Sequence, residues 1–82
     1  MQTYFLTKID PACNMKRFYC VTIQPTLLGD YCVVRIIGRL GRSARLLPPV
    51  LCLDAATAQV AGERLVERKK RRGYVEQNKI SD

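Results

Sequence analysis

The sequence predicts an α+β domain in which one long C-terminal helix packs on one face of a four-stranded antiparallel sheet. Short runs rich in β-branched and aromatic residues, separated by turn residues, fill most of residues 4–53, as strands do. Residues 55–72 instead have helix-forming composition, with apolar residues at helical spacing. The chain has 82 residues, which suits a single core of modest size. We expect one domain over residues 1–76 and a disordered polar tail over residues 77–82.

Two strands are predicted in the first part of the chain. Tyr4–Ile9 is short, aromatic and β-branched, and the Asp10-Pro11 pair after it marks a turn. A loop over residues 12–16 leads to Arg17–Gln24, in which both sets of alternating side chains are largely apolar. A strand that is apolar on both faces is typical of the middle of a sheet.

Two further strands follow a turn that contains proline and glycine. Tyr31–Arg39 is the third predicted strand. The fourth, Arg45–Leu53, is interrupted by Pro48-Pro49. Because proline donates no ladder hydrogen bond, we expect this strand at the edge of the sheet or with a bulge at the prolines.

The predicted helix has signals at both ends. Asp54 is positioned to accept hydrogen bonds from the first-turn amides, as an N-cap does. Gly73 suits the left-handed position after the last turn, and Tyr74 suits the apolar position that folds back on it. The apolar stripe between these ends consists of Ala58, Ala61 and Leu65, with Val66 beside it. Small alanines in this stripe predict a helix that lies close to the sheet.

The third strand carries arginines on one of its two faces. Because side chains alternate along a strand, one face holds Arg35, Ile37 and Arg39. The other face holds Cys32, Val34 and Ile36. Guanidinium groups are costly to bury, so we assign the cysteine, valine and isoleucine to the face under the helix. The arginine-bearing face is then predicted to be open to solvent.

The chain is strongly basic, with 14 Lys and Arg residues, 7 Asp and Glu residues and a net charge of +7. Such a field favours nucleic acid, an anionic membrane or an acidic protein as partner. Four arginines lie in the third strand and just after it: Arg35, Arg39, Arg42 and Arg45. Guanidinium groups match phosphate oxygens in shape and charge. The group therefore predicts a nucleic-acid site, the alternative being a solvated sheet face.

A second basic run, Arg68–Arg72, ends the predicted helix. Its side chains wrap around the helix because consecutive positions are about 100° apart. Cations in a last turn also stabilise the negative end of the helix dipole. The run supports helix capping, contact with nucleic acid or both, and Lys69 and Arg72 are secondary candidates for that contact.

Several classes of function are disfavoured. The chain has no His, its four cysteines lack zinc-site spacing and its carboxylates form no catalytic motif. We therefore expect neither an enzyme nor a metal or cofactor site. The first residues do not resemble a secretory leader, and no apolar run approaches about 18 residues. We expect no membrane partner, reduced cysteines and a cytoplasmic location.

Three segments resemble the WGR domain, a module found in poly(ADP-ribose) polymerases and in short bacterial proteins. Asn14–Tyr19 is similar to the Asn-Lys-Phe-Tyr segment of that family. Val34–Gly41 is similar to its Arg-x-Trp-Gly-Arg-x-Gly signature, and Lys69 with Gly73-Tyr74 is similar to its helix end. The similarity covers nearly the whole chain, with the segments in the family's order and spacing.

The resemblance implies a fold of the predicted kind and binding of nucleic acid. In the polymerases the module contacts DNA at a strand end through the Trp and the second Arg of the signature, which correspond here to Ile37 and Arg39. Isoleucine has no aromatic face for stacking on a sugar or base. We therefore expect sequence-independent, salt-sensitive binding, to DNA more than to RNA. The predicted site consists of Arg35, Ile37, Gly38, Arg39, Arg42, Arg45, Lys69 and Arg72.

The alternative interpretation is a protein-interaction module. Ile37 on an otherwise arginine-rich face would be an apolar anchor with a charged rim, as in small protein interfaces. Its partner would be an acidic protein. The sequence leaves the oligomeric state open.

Overall fold

The structure is a computed structural model that describes residues 2–81 and, among them, the side chains of residues 2–77. It confirms the α+β class, with one helix packed on an antiparallel sheet, but the sheet has six strands rather than four. The strands are β1 (Gln2–Asp10), β2 (Met15–Pro25), β3 (Tyr31–Arg39), β4 (Ala44–Leu46), β5 (Val50–Cys52) and β6 (Val75–Ser81). The helix α1 is Ala55–Lys70, and a short 3₁₀ helix, Pro11–Cys13, joins β1 to β2. No helix within residues 2–81 is long and apolar enough to cross a membrane.

The strand order is β4-β3-β2-β1-β6, and β5 pairs with β3 beyond the end of β4. The predicted fourth strand is therefore two short edge strands, because Pro48 and Pro49 interrupt its ladder between Leu46 and Val50. The sixth strand, β6, pairs with the other edge of β1. It runs through residues that the sequence analysis assigns to a polar tail, and its backbone satisfies ladder groups that β1 would otherwise leave open.

The core lies between α1 and the sheet. From the sheet, the fully buried side chains are Leu6, Val21 and Val33, and Tyr4, Tyr19 and Ile23 are nearly so. From the helix, the core includes Ala58 and Val66. Directly opposed residues in neighbouring strands share a face of the sheet. The pairs Ile23 with Val33 and Tyr19 with Ile37 therefore extend this helix-side face across β2 and β3.

The predicted orientation of β3 is wrong. The helix lies over the face that carries Val33, Arg35 and Ile37, because these residues pair with the core residues of β2. The assigned core residues Val34 and Ile36 point to the opposite side of the sheet. The error arose because both faces of β3 carry apolar side chains, so alternation separates the two sets without showing which set is covered.

The side of the sheet away from α1 is called the outer face. Its residues on β1 and β2 are Thr3, Phe5, Thr7, Ile9, Lys16, Phe18, Cys20, Thr22 and Gln24. On β3 it continues with Cys32, Val34 and Ile36, and on the edge strands with Leu46 and Leu51. Its centre carries no charge, and Lys16 lies at its end, opposite Ile9.

The predicted helix signals are confirmed. The Asp54 carboxylate accepts a hydrogen bond of 2.7 Å from the Thr57 amide, and Gly73 has a φ of 94°. The close approach of helix to sheet depends on Gly62 as well as on Ala58. A Cβ at position 62 would lie 2.7 Å from Ile23 Cδ1, nearer than carbon atoms can pack.

Candidate nucleic-acid interface

Three elements enclose a shallow cavity at the end of the sheet where α1 finishes. It has a volume of about 360 Å³ and is called the basic cavity. Its lining residues are Arg17, Phe18, Ile37, Gly38, Arg39, Lys69 and Tyr74. Register explains the strand contribution, because Arg17 is directly opposite Arg39 and Tyr19 is directly opposite Ile37 on the helix-side face.

Lys69 projects from the last turn of α1 onto two aromatic rings. Its Nζ atom lies 4.8 Å from the ring centroid of Tyr19 and 5.3 Å from that of Tyr74. The two rings meet edge to face, with centroids 6.4 Å apart. Lys8 approaches Tyr74 from β1, at 5.9 Å, and donates a 2.6 Å hydrogen bond to the Arg72 carbonyl. The rings thus hold two ammonium groups at the rim of the basic cavity.

The charges around Lys69 are all of one sign. Burial lowers the pKa of Lys69, and so do its cationic neighbours Arg72, Arg17, Arg35 and Lys8. The ion pairs among the described side chains both involve Lys70, at 3.8 Å from Glu67 and 2.8 Å from Glu76. No carboxylate of residues 2–77 forms an ion pair with the cations of the basic cavity. An anion entering the cavity would relieve their mutual repulsion.

Arg35 lies on the covered side of the sheet with its guanidinium at the margin of the core. Its Nη2 atom donates a 3.1 Å hydrogen bond to the Pro48 carbonyl, between β4 and β5. Its Nε atom is buried and has no hydrogen-bond partner in the described part of the chain. Burial raises the pKa of the Tyr19 hydroxyl, although the Arg35 charge beside it acts in the opposite direction. Arg35 thus adds positive charge while holding the segment that joins the two edge strands.

The predicted site residues fall into three groups. Those that line the basic cavity are Ile37, Gly38, Arg39 and Lys69. Arg35 and Arg72 adjoin it, because their charges lower the Lys69 pKa. Arg45 is exposed on β4 opposite Ile37, and Arg42 is exposed in the turn after β3; neither lines the cavity.

Two backbone features shape the cavity. The Nη2 atom of Arg39 donates a 3.0 Å hydrogen bond to the Asn14 carbonyl, which ties the start of β2 to the end of β3. A Cβ at Gly38 would lie 2.8 Å from the Ser43 carbonyl oxygen and 2.9 Å from Phe18 Cε1. Only glycine lets β4 turn back this closely against β3.

Sequence reasoning missed Arg17, Lys8 and Tyr74 as members of the site. Arg17 could have been found, since it is two residues before Tyr19 and therefore shares its face of β2. Tyr74 was assigned only an apolar capping contact. Lys8 carries no local signal, because its position near the helix end depends on the packing of β1 beside β2.

The rest of the described surface offers weaker candidates for binding. A cavity of about 410 Å³ on the outside of α1 is lined by alternating acidic and basic side chains, so it lacks the uniform sign of the basic cavity. Residues 2–81 contain no cluster of three or more metal-ligating side chains. All four cysteines are free thiols.

Comparison with known proteins gives one family and one relative. The family model described as "WGR domain" matches residues 2–81. An uncharacterized protein, y4dW, of Sinorhizobium fredii is 30% identical over 70 residues, which are 85% of this chain and 34% of the relative. The chain therefore spans about a third of the length of that relative. No solved structure matches the chain.

Proposed function

The chain belongs to the WGR domain family, and on that premise we propose that it is a non-catalytic module that binds nucleic acid through the basic cavity. The ligand would be DNA more than RNA. The observation that carries this proposal is the cluster of cations around Lys69, whose charges no carboxylate of residues 2–77 pairs with. A phosphate backbone is a ligand that many such cations can contact together.

The mode of binding follows from what the cavity offers. Tyr19 is only 2% exposed, and Lys69 lies over its ring, so that ring is closed to a base. Ile37 supplies an apolar contact without an aromatic face. Binding therefore rests on phosphate contacts, which carry no sequence information. If four cations each neutralise a phosphate, log K falls with log salt at a slope near −3.6, roughly −0.9 per phosphate on duplex DNA.

The experiment is fluorescence anisotropy with blunt duplex, nicked duplex, single-stranded DNA and an RNA hairpin, each over a range of salt concentrations. We expect binding to all DNA forms, tightest at low salt, with no dependence on base sequence. Absence of binding at low salt, or affinity that salt does not change, would contradict the proposal.

A matched pair of variants locates the site. Arg17 lines the basic cavity, and Arg64 is on the outside of α1; both are exposed arginines. Each Ala substitution removes one positive charge, so a difference in binding between the two variants cannot come from net charge. Arg17→Ala should weaken binding and make the salt slope shallower by about one unit, whereas Arg64→Ala should have little effect. Equal losses would mean that binding is diffuse over the surface.

The alternative ligand, an acidic protein, is tested in the same format. A polyglutamate peptide labelled in place of DNA would bind with comparable affinity if charge alone selected the partner. We expect weaker binding, because planar guanidinium groups and a phosphodiester backbone match in geometry as well as in charge.

A further inference from the structure

The centre of the outer face is apolar, and the one charged side chain among its residues on β1, β2 and β3 is Lys16, at the end of β2. Its other named residues are aliphatic, aromatic, threonine, cysteine or glutamine, although the chain contains 14 basic and 7 acidic residues. Phe5 and Phe18 stack on it with ring centroids 5.8 Å apart. Leu46 and Leu51 at its margin are 63% and 70% exposed. Exposed contiguous apolar surface of this kind marks a contact site.

No described element covers this face. The helix packs on the opposite side, where it contacts Val21 and Ile23 of β2. The outer side chains are partly shielded only by their neighbours in the sheet. A sheet with one face on the core ordinarily carries polar residues on the other, and this sheet departs from that pattern.

The size of the outer face suits a small protein interface. The nine residues of β3 span about 30 Å at about 3.3 Å each, and four strand positions span about 15–20 Å. The face therefore offers roughly 500 Å², and two such faces would bury roughly 1,000 Å² together, at the lower limit for a specific interface.

The chemistry of the face selects a second copy of this chain as its occupant. Nucleic acid or an acidic protein would find only Lys16, at the end of β2, and no cation at the centre of the face. Two copies, by contrast, can meet without placing like charges at the centre of the contact, because Lys16 lies at the end of the face and its centre is uncharged. Pairing through the β4–β5 edge is disfavoured, since those strands are three residues each and are separated by two prolines. Face-to-face packing is the symmetric arrangement that covers the apolar centre of the outer face.

We propose that two copies associate through their outer faces to form a β-sandwich, with Val34, Ile36 and Phe18 at the contact. Such packing is isologous, so each copy contributes the same residues. It would place the two sheets about 10 Å apart, with the helices on the outside. The cations that line the basic cavity, Arg17, Arg39 and Lys69, lie on the helix side of each copy and stay accessible.

The test is the mass of the full chain in solution, measured by sedimentation equilibrium over a wide range of protein concentration. We expect a monomer–dimer equilibrium at micromolar concentrations. Val34→Lys should make the chain monomeric, because it places a charge at the centre of the contact. Val60→Lys is the matched control: it adds the same charge at an exposed position of α1, 47% exposed, and should leave association unchanged.

Leu46→Lys keeps the proposal testable if Val34→Lys fails to fold, because the margin of the face is exposed and tolerates a charge. It should weaken association at least tenfold with an unchanged circular dichroism spectrum. The proposal is overturned if the chain stays monomeric at the highest concentration, in which case another protein or another segment of a longer chain covers the face. A dimer unaffected by Leu46→Lys and Val34→Lys would also overturn it, since another surface would then be responsible.

Discussion

The two faces of β3 both carry apolar side chains but differ in charge. On the helix side, Val33 is buried in the core, Arg35 lies at the middle of the strand and Arg39 lies at its end, beside the last turn of α1. On the outer side, Val34 and Ile36 continue into Gly38, with no charge at all. A face covered by a helix can thus still carry arginines, because their stems pack along the core while the guanidinium groups reach its margin. A guanidinium group that reaches solvent therefore does not show which face of a sheet is uncovered.

The largest expected effect is on the free energy of unfolding, and it distinguishes the two faces of β3. Val33 is fully buried and Val34 is its neighbour on the other face. Val33→Asp should destabilise the fold by more than about 3 kcal/mol, since it places an unpaired carboxylate in the core. Val34→Asp should leave a folded chain. Urea unfolding followed by circular dichroism measures both, and the opposite ranking would restore the orientation that the sequence first suggested.

A smaller loss of stability is expected at the arginine-bearing end of the strand. Gly38→Ala forces a Cβ to within 2.8 Å of the Ser43 backbone, so β4 must move away from β3. We expect a cost of about 1–3 kcal/mol, as for other overpacked sites, and a weaker affinity for DNA. Gly29→Ala is the control: its φ of 97° strains an alanine, but no atom lies near the added Cβ. If DNA binding falls equally in both variants, the geometry of the cavity is not the cause.

A change of pH should affect the helix-side face through Lys69. Its pKa in the free protein is lowered from 10.5 by burial and by cationic neighbours, and a bound phosphate would raise it again. Binding therefore takes up a proton in the window just below pH 10.5, so affinity for DNA should decrease as the pH rises through that window. Lys69→Arg should remove most of this dependence, because arginine keeps its charge there. Anisotropy titrations at a fixed salt concentration test it.

The lowered pKa of Lys69 also predicts that, in the absence of DNA, the stability of the fold rises with pH, whereas the affinity for DNA falls. A lysine with a lowered pKa disfavours folding while it is charged, and this cost disappears as the pH rises through its folded pKa. The lysine contribution to the free energy of unfolding should therefore increase slightly towards pH 10. Comparison of wild type with Lys69→Met isolates it, and identical pH profiles would show that Lys69 is not crowded by like charges.

The smallest expected effect is on stability at the start of α1, away from the basic cavity and the outer face. The Thr57 amide lowers the pKa of Asp54 by hydrogen bonding to the charged carboxylate. The cap contributes stability above the ordinary pKa of 3.8, and this contribution is lost as the pH falls through the lowered value. Asp54→Ala should reduce the urea midpoint slightly at neutral pH and leave both DNA affinity and association unchanged. A change in either would mean that the start of α1 influences the faces.

The elements with local signals could be predicted from the sequence. Asp54 and Gly73 mark the ends of the helix region by chemistry that depends on a few neighbouring residues, and Pro48-Pro49 marks the interruption at the sheet edge. Strand β6 could not be predicted, because it is stabilised by pairing with β1 and has little hydrophobic alternation of its own. The covered face of β3 depends on which set of side chains α1 meets, which is a property of packing.

The sequence predicted the part of the cavity lining that lies on β3 and at the end of α1. Arg39 and Lys69 were found, one from the dense arginines and one from the helix end. Arg17, Lys8 and Tyr74 were not, because they come from three other segments that only the assembled fold brings together. A basic composition indicates that an anion-binding surface exists, whereas its position depends on long-range register.

The concentration of cations around the end of α1 also affects how the chain would approach a polyanion. Asp30 precedes β3 and Asp54 caps the start of α1, so both carboxylates lie away from the end that carries Arg39 and Lys69, and the charge of the molecule is distributed unevenly. The electric field of a polyanion such as DNA would orient the molecule before contact, so that its basic end faces the polyanion. Productive encounters would then be more frequent than random collision allows, and added salt would slow association more than dissociation.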